Sequence, residues 1–233
     1  MTSPSSPSPP SPPPPTAPAS AGWTGQVGTP TRLYLLRHGQ TALSVHRRYS
    51  GRGDPPLTTV GEAQADGAAA RLAGIAGIAA VLTSPLTRAR HTAERVAAAT
   101  GAPLHVREGL VETDFGAWEG LTFTEAGERD PELHGRWLGS TDVAPPGGES
   151  FAQVGRRLAA EREAILAEYP ASAIVLVSHV TPIKILLRDA LAAGPSVLYR
   201  LHLDLASLSV VELYPDGGAS VLLVNDVGHV TSR

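Results

Sequence analysis

Two histidines in this sequence each follow an apolar run that is typical of a buried β-strand. His38 comes after the run at 33–36 and Arg37, and His179 comes directly after the run at 174–178. Ligands of α/β folds bind at the carboxyl ends of strands, and an imidazole placed there can act as a nucleophile or as a general acid or base. One such histidine would more often be structural or solvated, whereas two favour a shared ligand site.

Two further segments supply charged side chains that could take part in such a site. Arg88 lies in the run 84–90, which follows a predicted strand and opens a helix, where free N–H groups favour anions. Its guanidinium matches phosphate oxygens, but only Lys184 among the 19 basic residues is lysine, so Arg88 alone could equally be a surface residue. The run 110–120 carries three carboxylates. One could act as a general acid, and the others could cap helices or pair with arginines.

The composition excludes several other kinds of site. The 233 residues include no cysteine, which excludes disulfides, thiolate zinc sites and a catalytic thiol. A net charge of −3 provides no general basic field for nucleic acid. No apolar run approaches the roughly 18–20 residues that span a bilayer, and the N-terminal residues lack the pattern of a secretory signal. We therefore expect a cytoplasmic protein that binds neither nucleic acid nor a membrane.

The elements that must position these residues alternate along the chain. Four strands are predicted at 32–36, 79–82, 104–106 and 173–177, and four helices at about 57–73, 87–100, 149–169 and 183–193. Two more strands, at 207–214 and 219–224, flank a Pro-Asp-Gly-Gly turn and predict a hairpin. Thr59 and Glu62 have the spacing of a helix capping box. This order predicts a three-layer α/β/α sandwich with one mixed, mostly parallel sheet.

The first 30 residues differ in composition from the rest of the chain. They are rich in proline, serine, threonine, alanine and glycine, and such a segment cannot bury enough apolar surface to offset the entropy of ordering it. We therefore predict a disordered tail or linker at 1–30 and a single domain at 31–233.

The chemically interesting segments, taken together and in order, resemble the motifs of the histidine phosphatase superfamily, which includes phosphoglycerate mutases. They are RHGQT at 37–41, SPLTR at 84–88 with TAE at 92–94, ETDFGAWEG at 112–120 and SH at 178–179. The run 37–65 is most similar to the acid phosphatase part of bifunctional ribonuclease H/acid phosphatase proteins and to α-ribazole phosphatases. The resemblance covers about residues 31–227 and implies a phosphoglycerate mutase-like fold.

The resemblance also implies a role for each residue of the site. His38 would be the nucleophile that forms a phosphohistidine, and Glu112 would be the general acid and then the general base. Arg37, Arg88 and His179 would hold the non-bridging oxygens, so that no metal or other cofactor is needed. Further phosphate or substrate contacts would come from Gly39, Gln40, Thr41, Ser44, Ser50 and Gly51.

Two positions depart from the motifs of the superfamily. Ser44 stands where asparagine is frequent, and it has a shorter reach. Val180 stands where glycine usually follows the second histidine, so the local backbone geometry is expected to differ.

The basic and imidazole side chains outside the motifs have no role in the resemblance. His91 and His134 are predicted on helix surfaces. A basic cluster after the first motif could attract anionic substrates or could simply be a solvated loop. It consists of His46, Arg47, Arg48 and Arg52.

The function that these inferences favour is a metal-independent phosphomonoesterase of the acid phosphatase type. It would act on a small phosphorylated metabolite, as a monomer or a homodimer, and α-ribazole phosphate, a sugar phosphate and a phosphoglycerate all remain open as substrates. A mutase-type phosphotransferase is the nearest alternative, although the stretch 121–150 is shorter than in mutases. A non-catalytic protein that binds a phosphorylated ligand is a third, which the presence of both His38 and Glu112 disfavours.

Overall fold

Apolar runs form the strands of a single sheet in the computed structural model, which describes residues 25–230. The strands are β1 (Thr31–Arg37), β2 (Ile78–Thr83), β3 (Leu104–Val106), β4 (Ala173–Ser178), β5 (Leu208–Leu213) and β6 (Ala219–Asp226). Their order across the sheet is β3-β2-β4-β1-β5-β6. The first four in this order run parallel to one another, and β5 and β6 extend the sheet as an antiparallel hairpin.

Eight helices are present among the described residues. They are α1 (Ala42–Val45), α2 (Thr59–Ala73), α3 (Thr87–Thr100), α4 (Phe123–Arg129), α5 (Pro131–Trp137), α6 (Phe151–Glu168), α7 (Val180–Ala190) and α8 (Val197–Arg200). None of these helices, all within residues 25–230, combines the length and the apolar character needed to cross a bilayer.

Each face of the sheet is covered by its own apolar core. Side chains alternate between the faces of a strand, so Leu33 and Leu35 pack with the buried residues of α6 and α7. Tyr34 and Leu36 point the other way and pack with α2 and α3. The predicted three-layer α/β/α sandwich with a mixed, mostly parallel sheet is therefore confirmed.

Two helix starts differ from the sequence prediction. The cap of α2 is Thr58, whose hydroxyl accepts from the Gly61 N–H at 3.0 Å, so the predicted capping role of Thr59 is wrong. Helix α7 begins at Val180, three residues before the predicted start. Pro182 lies in the first turn, where a residue without an N–H removes no helical hydrogen bond.

No bounds were predicted for helices α4 and α5, and His134 of α5 does not lie where it was predicted. This residue is buried rather than on a helix surface, and its Nε2 lies 2.9 Å from the Tyr49 hydroxyl. Its ring packs against Trp118 and Trp137, with centroids 5.1 and 5.8 Å away. The short stretch 121–150 thus builds an aromatic layer above the sheet.

The described part of the predicted tail contacts the β5–β6 hairpin. The Gln26 amide donates to the Ala219 carbonyl at 3.1 Å and to the Ser220 hydroxyl at 2.8 Å. Residues 1–24 lie outside the described residues, and so do 231–233. The boundary near residue 30 and the disorder of the tail stay predictions.

Close backbone packing between α2 and the loop after β1 leads to a stability prediction. A Cβ on Gly61 would lie 2.1 Å from the Gln40 carbonyl oxygen, and one on Gly39 would lie 2.3 Å from the Gly61 carbonyl oxygen. Neither backbone segment can move away without distortion. Gly61→Ala should therefore lower the free energy of unfolding by about 1–3 kcal/mol in urea titrations.

Gly135→Ala is the matched control, since no atom lies within 4 Å of a Cβ on this glycine in α5. It should leave stability unchanged or raise it by up to about 1 kcal/mol. Equal stability of the two variants would contradict the close-packing account.

Candidate active site

The two predicted histidines leave the sheet side by side. Arg37 of β1 pairs with Ser178 of β4 in parallel register, so the next residues, His38 and His179, follow at the same edge. The His38 N–H donates to the Ser178 carbonyl at 3.1 Å. The centroids of the two imidazole rings are 5.0 Å apart. The sheet itself therefore brings the pair together, as the sequence predicted.

A single hydrogen bond sets the tautomer of His38. Its Nδ1 lies 2.7 Å from the Gly39 carbonyl oxygen. A carbonyl oxygen only accepts, so Nδ1 carries the hydrogen and Nε2 carries the lone pair. An imidazole with a free Nε2 lone pair beside a cavity is suited to nucleophilic attack.

The surroundings of His38 keep its ring neutral. The side chain is buried, and burial lowers its pKa well below the usual 6.5. The positive charges of Arg88 and Arg37 lower the pKa further, whereas the hydrogen bond to Gly39 opposes the shift. Because the folded-state pKa is depressed, the imidazole stays unprotonated as the pH falls through 6.5.

Arg88 is fully buried at the start of α3 and is held by backbone carbonyls. Its guanidinium donates to Gly53 O at 2.7 Å, to Gly51 O at 2.9 Å and to Ser50 O at 3.1 Å. Burial lowers its pKa, and nearby carboxylates, first Glu112, oppose this. The backbone of Ser50 and Gly51 therefore orients Arg88, while the buried Ser50 hydroxyl, which lines the cavity, has no partner among the described residues.

Arg37 supplies a second guanidinium beside His38. It donates to the Leu203 carbonyl at 2.6 Å, and burial lowers its pKa to about 10 despite the nearby charges of Glu112 and Asp204. The Nε atoms of Arg37 and Arg88 are both buried and lack an acceptor among residues 25–230. Buried donors normally have partners, so an anion between the two guanidiniums would complete their hydrogen bonding.

Ser84 determines which nitrogen of His179 carries a hydrogen. The Ser84 hydroxyl accepts from the Leu86 N–H at 3.3 Å and lies 2.7 Å from His179 Nε2. The hydroxyl contacts no other acceptor among the described residues, so we infer that it donates to Nε2 and that Nδ1 carries the ring hydrogen. That Nδ1 is buried without a partner there. His179 is fully buried and does not line the cavity beside His38, so donation from this nitrogen to a ligand oxygen stays a prediction.

The Glu112 side chain contacts the first turn of α7. Its Oε1 accepts from the Thr113 N–H at 2.8 Å, and both carboxylate oxygens lie 3.3 Å from the Thr181 N–H. The side chain is buried and lines the same cavity as His38. The free N–H groups at the helix N-terminus hold the carboxyl group in place.

The remaining predicted contacts shape the loop around His38. Thr41 and Ser44 cap α1 reciprocally and line the cavity, and the Gln40 side-chain oxygen accepts from the Thr58 hydroxyl at 2.8 Å. The Gly39 N–H faces the Thr92 hydroxyl at 3.3 Å. Their contact with a substrate stays a prediction.

A cavity of about 910 Å³ opens beside His38, Arg37 and Glu112. Sequence reasoning missed most of its wall. The aromatic part consists of Tyr49, Phe115, Phe123, Trp137, Phe151 and Tyr199. Sequence reasoning also missed Lys184, although it lies three residues after Thr181 and therefore on the same face of α7.

Fold and site together define an α/β domain in which a neutral imidazole lies beside buried guanidiniums, an arrangement that suits an anionic ligand. Among residues 25–230 there is no group of three or more histidine, aspartate or glutamate side chains that could hold a metal ion. The sequence model of the histidine phosphatase superfamily (branch 1) matches residues 33–226. The chain belongs to this superfamily, as the motifs predicted.

Two named relatives are similar in sequence to this chain. A bifunctional protein of Mycobacterium tuberculosis is 61% identical over 211 residues, which cover 91% of this chain and 58% of the relative. The chain therefore spans only about three fifths of that protein. A Yersinia enterocolitica protein named "Probable phosphoglycerate mutase GpmB" is 34% identical over 78% of this chain and 84% of its own length.

Solved structures of phosphatases share the fold. A mycobacterial glucosyl-3-phosphoglycerate phosphatase superposes with a TM-score of 0.76 at 28% identity, covering 84% of this chain and 99% of that one. The α-ribazole phosphatase of Shigella flexneri gives a TM-score of 0.74 at 29% identity, covering 84% and 97%. The predicted enzyme class is confirmed: the domain is a histidine phosphatase.

The hydrogen bond between Ser84 and His179 leads to a prediction about the tautomer. Ser84→Ala removes the donor to Nε2, so the ring hydrogen of His179 should redistribute between the two nitrogens. We expect kcat with p-nitrophenyl phosphate to fall about tenfold or more, with a smaller change in KM. Nitrogen-15 NMR of the ring should show Nδ1–H in the wild type and a mixture in the variant.

Thr83→Val is the matched control. Thr83 is equally buried, but its hydroxyl donates to the Ser84 carbonyl at 3.1 Å and not to a histidine. It should keep both the His179 spectrum and kcat. If the wild-type His179 carries its hydrogen on Nε2, the assignment of the hydrogen to Nδ1 is wrong.

Proposed function

We propose that this domain hydrolyses phosphomonoesters without a metal ion, through a phosphohistidine at His38. The observation that supports the proposal best is the tautomer of His38, with a lone pair on Nε2 next to the guanidiniums of Arg37 and Arg88. A panel of phosphomonoesters assayed with His38→Ala as control tests it. Turnover retained by His38→Ala would contradict it.

In the first step, Nε2 of His38 attacks phosphorus in line with the leaving oxygen. The P–N bond forms as the P–O bond breaks, and Glu112 gives its proton to the departing alcohol. Arg37, Arg88 and the Nδ1–H of His179 donate to the non-bridging oxygens, where charge is concentrated in the transition state. Donors that are already in place need no reorganisation during the reaction.

In the second step, the Glu112 carboxylate takes a proton from water, and that water attacks phosphorus. The P–N bond breaks, inorganic phosphate is released, and His38 regains its lone pair while Glu112 is again protonated. The same carboxyl group therefore serves as acid and then as base. The side chains supply all the positive charge that the transferred group requires.

The electrostatics support the acid phosphatase type. Glu112 must be protonated for the first step, and His38 must be neutral. The depressed pKa of His38 keeps it neutral at mildly acidic pH, which meets the second demand. A small phosphorylated metabolite as the substrate is supported by the cavity of about 910 Å³. A cytoplasmic location and a monomeric or homodimeric state stay predictions.

A mutase-type phosphotransferase is the second candidate, because the relative named as a probable phosphoglycerate mutase is 34% identical. In that reaction the phosphohistidine would transfer its phosphoryl group to a second alcohol instead of to water. Measuring the 2-phosphoglycerate formed from 3-phosphoglycerate with the bisphosphate primer distinguishes the two. Release of inorganic phosphate without 2-phosphoglycerate is the result that we expect.

The general-acid role of Glu112 predicts a dependence on the leaving group. Glu112→Gln keeps the shape of the side chain but cannot supply a proton. An alkyl alcohol is a poor leaving group that needs protonation, whereas p-nitrophenolate needs it much less. Values of kcat/KM should therefore fall by about 10²–10⁴-fold on the alkyl ester and far less on p-nitrophenyl phosphate.

Glu119→Gln provides a matched control, since this carboxylate accepts from the backbone N–H groups of Gly51 and Gly53. It should slow both esters by a similar factor. An equal loss on both esters for Glu112→Gln would show that the general acid lies elsewhere.

A further inference from the structure

Lys184 is a cation in the cavity wall that has no carboxylate partner among residues 25–230. Its side chain is half-buried on α7, and its ammonium donates to the Leu198 carbonyl at 2.8 Å. An ammonium group has three N–H donors, and no other acceptor contacts it in that part of the chain. Burial lowers its pKa, and the charge of Glu112 opposes this shift without cancelling it.

The other basic side chains of the cavity wall are accounted for in other ways. Arg37 belongs to the proposed phosphoryl site, Arg48 forms an ion pair with Glu125 at 2.8 Å, and His202 lies 3.2 Å from Asp204. Arg47 is exposed to solvent at the rim. Lys184 is therefore the half-buried cation to which the proposed reaction gives no role.

The position of Lys184 relates it to the leaving group. It lies one helical turn after Thr181, whose N–H holds the Glu112 carboxylate. Glu112 is proposed to protonate the departing oxygen, so Lys184 lies on the side of the site where the alcohol leaves. Leu198 and Tyr199 of α8 continue the cavity wall there.

We propose that Lys184 binds an anionic group on the alcohol part of the substrate. The site would then select phosphomonoesters whose leaving group carries a second negative charge. This inference rests on the proposed function. Charge-assisted hydrogen bonds to a half-buried ammonium are short and strong, and the cavity of about 910 Å³ has room for a leaving group beyond the phosphoryl group.

Three matched esters test the proposal on the full chain. Propyl phosphate has no oxygen at the far end of its alcohol, 3-hydroxypropyl phosphate has a neutral oxygen, and 3-phosphooxypropanoate has a carboxylate. The wild type should prefer the carboxylate ester in kcat/KM. Lys184→Met should reduce that preference about ten- to a hundredfold, and Lys184→Arg, which keeps the charge, should retain part of it.

Arg47→Met is the matched control, because it removes a cation from the same cavity at an exposed position. The preference for the carboxylate ester should change little in this variant. At high salt, where exposed charges are screened, the change should be smaller again. If Lys184→Met fails to fold, Lys184→Gln provides the same comparison with a polar side chain.

Calorimetric binding to His38→Ala separates this proposal from the proposed function. Tighter binding of the carboxylate ester, lost in the double variant with Lys184→Met, would support the role of Lys184 even if the wild type hydrolysed none of the esters. If Lys184→Met instead weakens all three esters equally, or leaves the preference unchanged, the proposal is wrong.

Discussion

The hydrogen bond from His38 Nδ1 to the Gly39 carbonyl is the interaction on which the site depends. It leaves the lone pair on Nε2, the nitrogen that attacks in the proposed reaction, and the loop that provides the carbonyl is fixed by backbone contact with α2. Both Gly39 and Gly61 lack a side chain where one would separate these segments. The conformation of a backbone loop thus determines the chemistry of an imidazole ring.

In the proposed reaction the two imidazole rings perform complementary tasks, because their hydrogens are placed by different partners. A carbonyl accepts from His38, whereas the Ser84 hydroxyl donates to His179, so one ring offers a lone pair and the other a donor. Burial, and after it the positive charges of Arg88 and Arg37, lower the pKa of both rings. An anion that enters this site meets donors that are already ordered, and such preorganisation lowers barriers in phosphoryl transfer.

The sequence predicts the fold and the placement of the central residues, because periodicity and motifs are local signals. The roles of these residues stay predictions. The bounds of α3 and β3 agree with the prediction, and His38, His179, Arg88 and Glu112 come together as expected. The start of α7 was missed because Pro182 lies in a first turn, where proline is tolerated. Much of the aromatic wall could not be predicted, since Phe123, Trp137 and Tyr199 lie on short helices that tertiary packing brings to the cavity. Lys184 follows the last motif closely, but the sequence does not show which face of α7 lines the cavity.

Trapping the phosphorylated enzyme tests the central claim most directly. Glu112→Gln should still react with p-nitrophenyl phosphate but should hydrolyse its intermediate slowly, so the full chain is mixed with this ester in the presence of excess chelator. After a rapid quench into alkaline denaturant, mass spectrometry of the peptides locates the phosphoryl group. The account predicts one phosphoryl group on His38 and none in the double variant with His38→Ala. A phosphoryl group on another residue, or labelling that requires added metal, would contradict it.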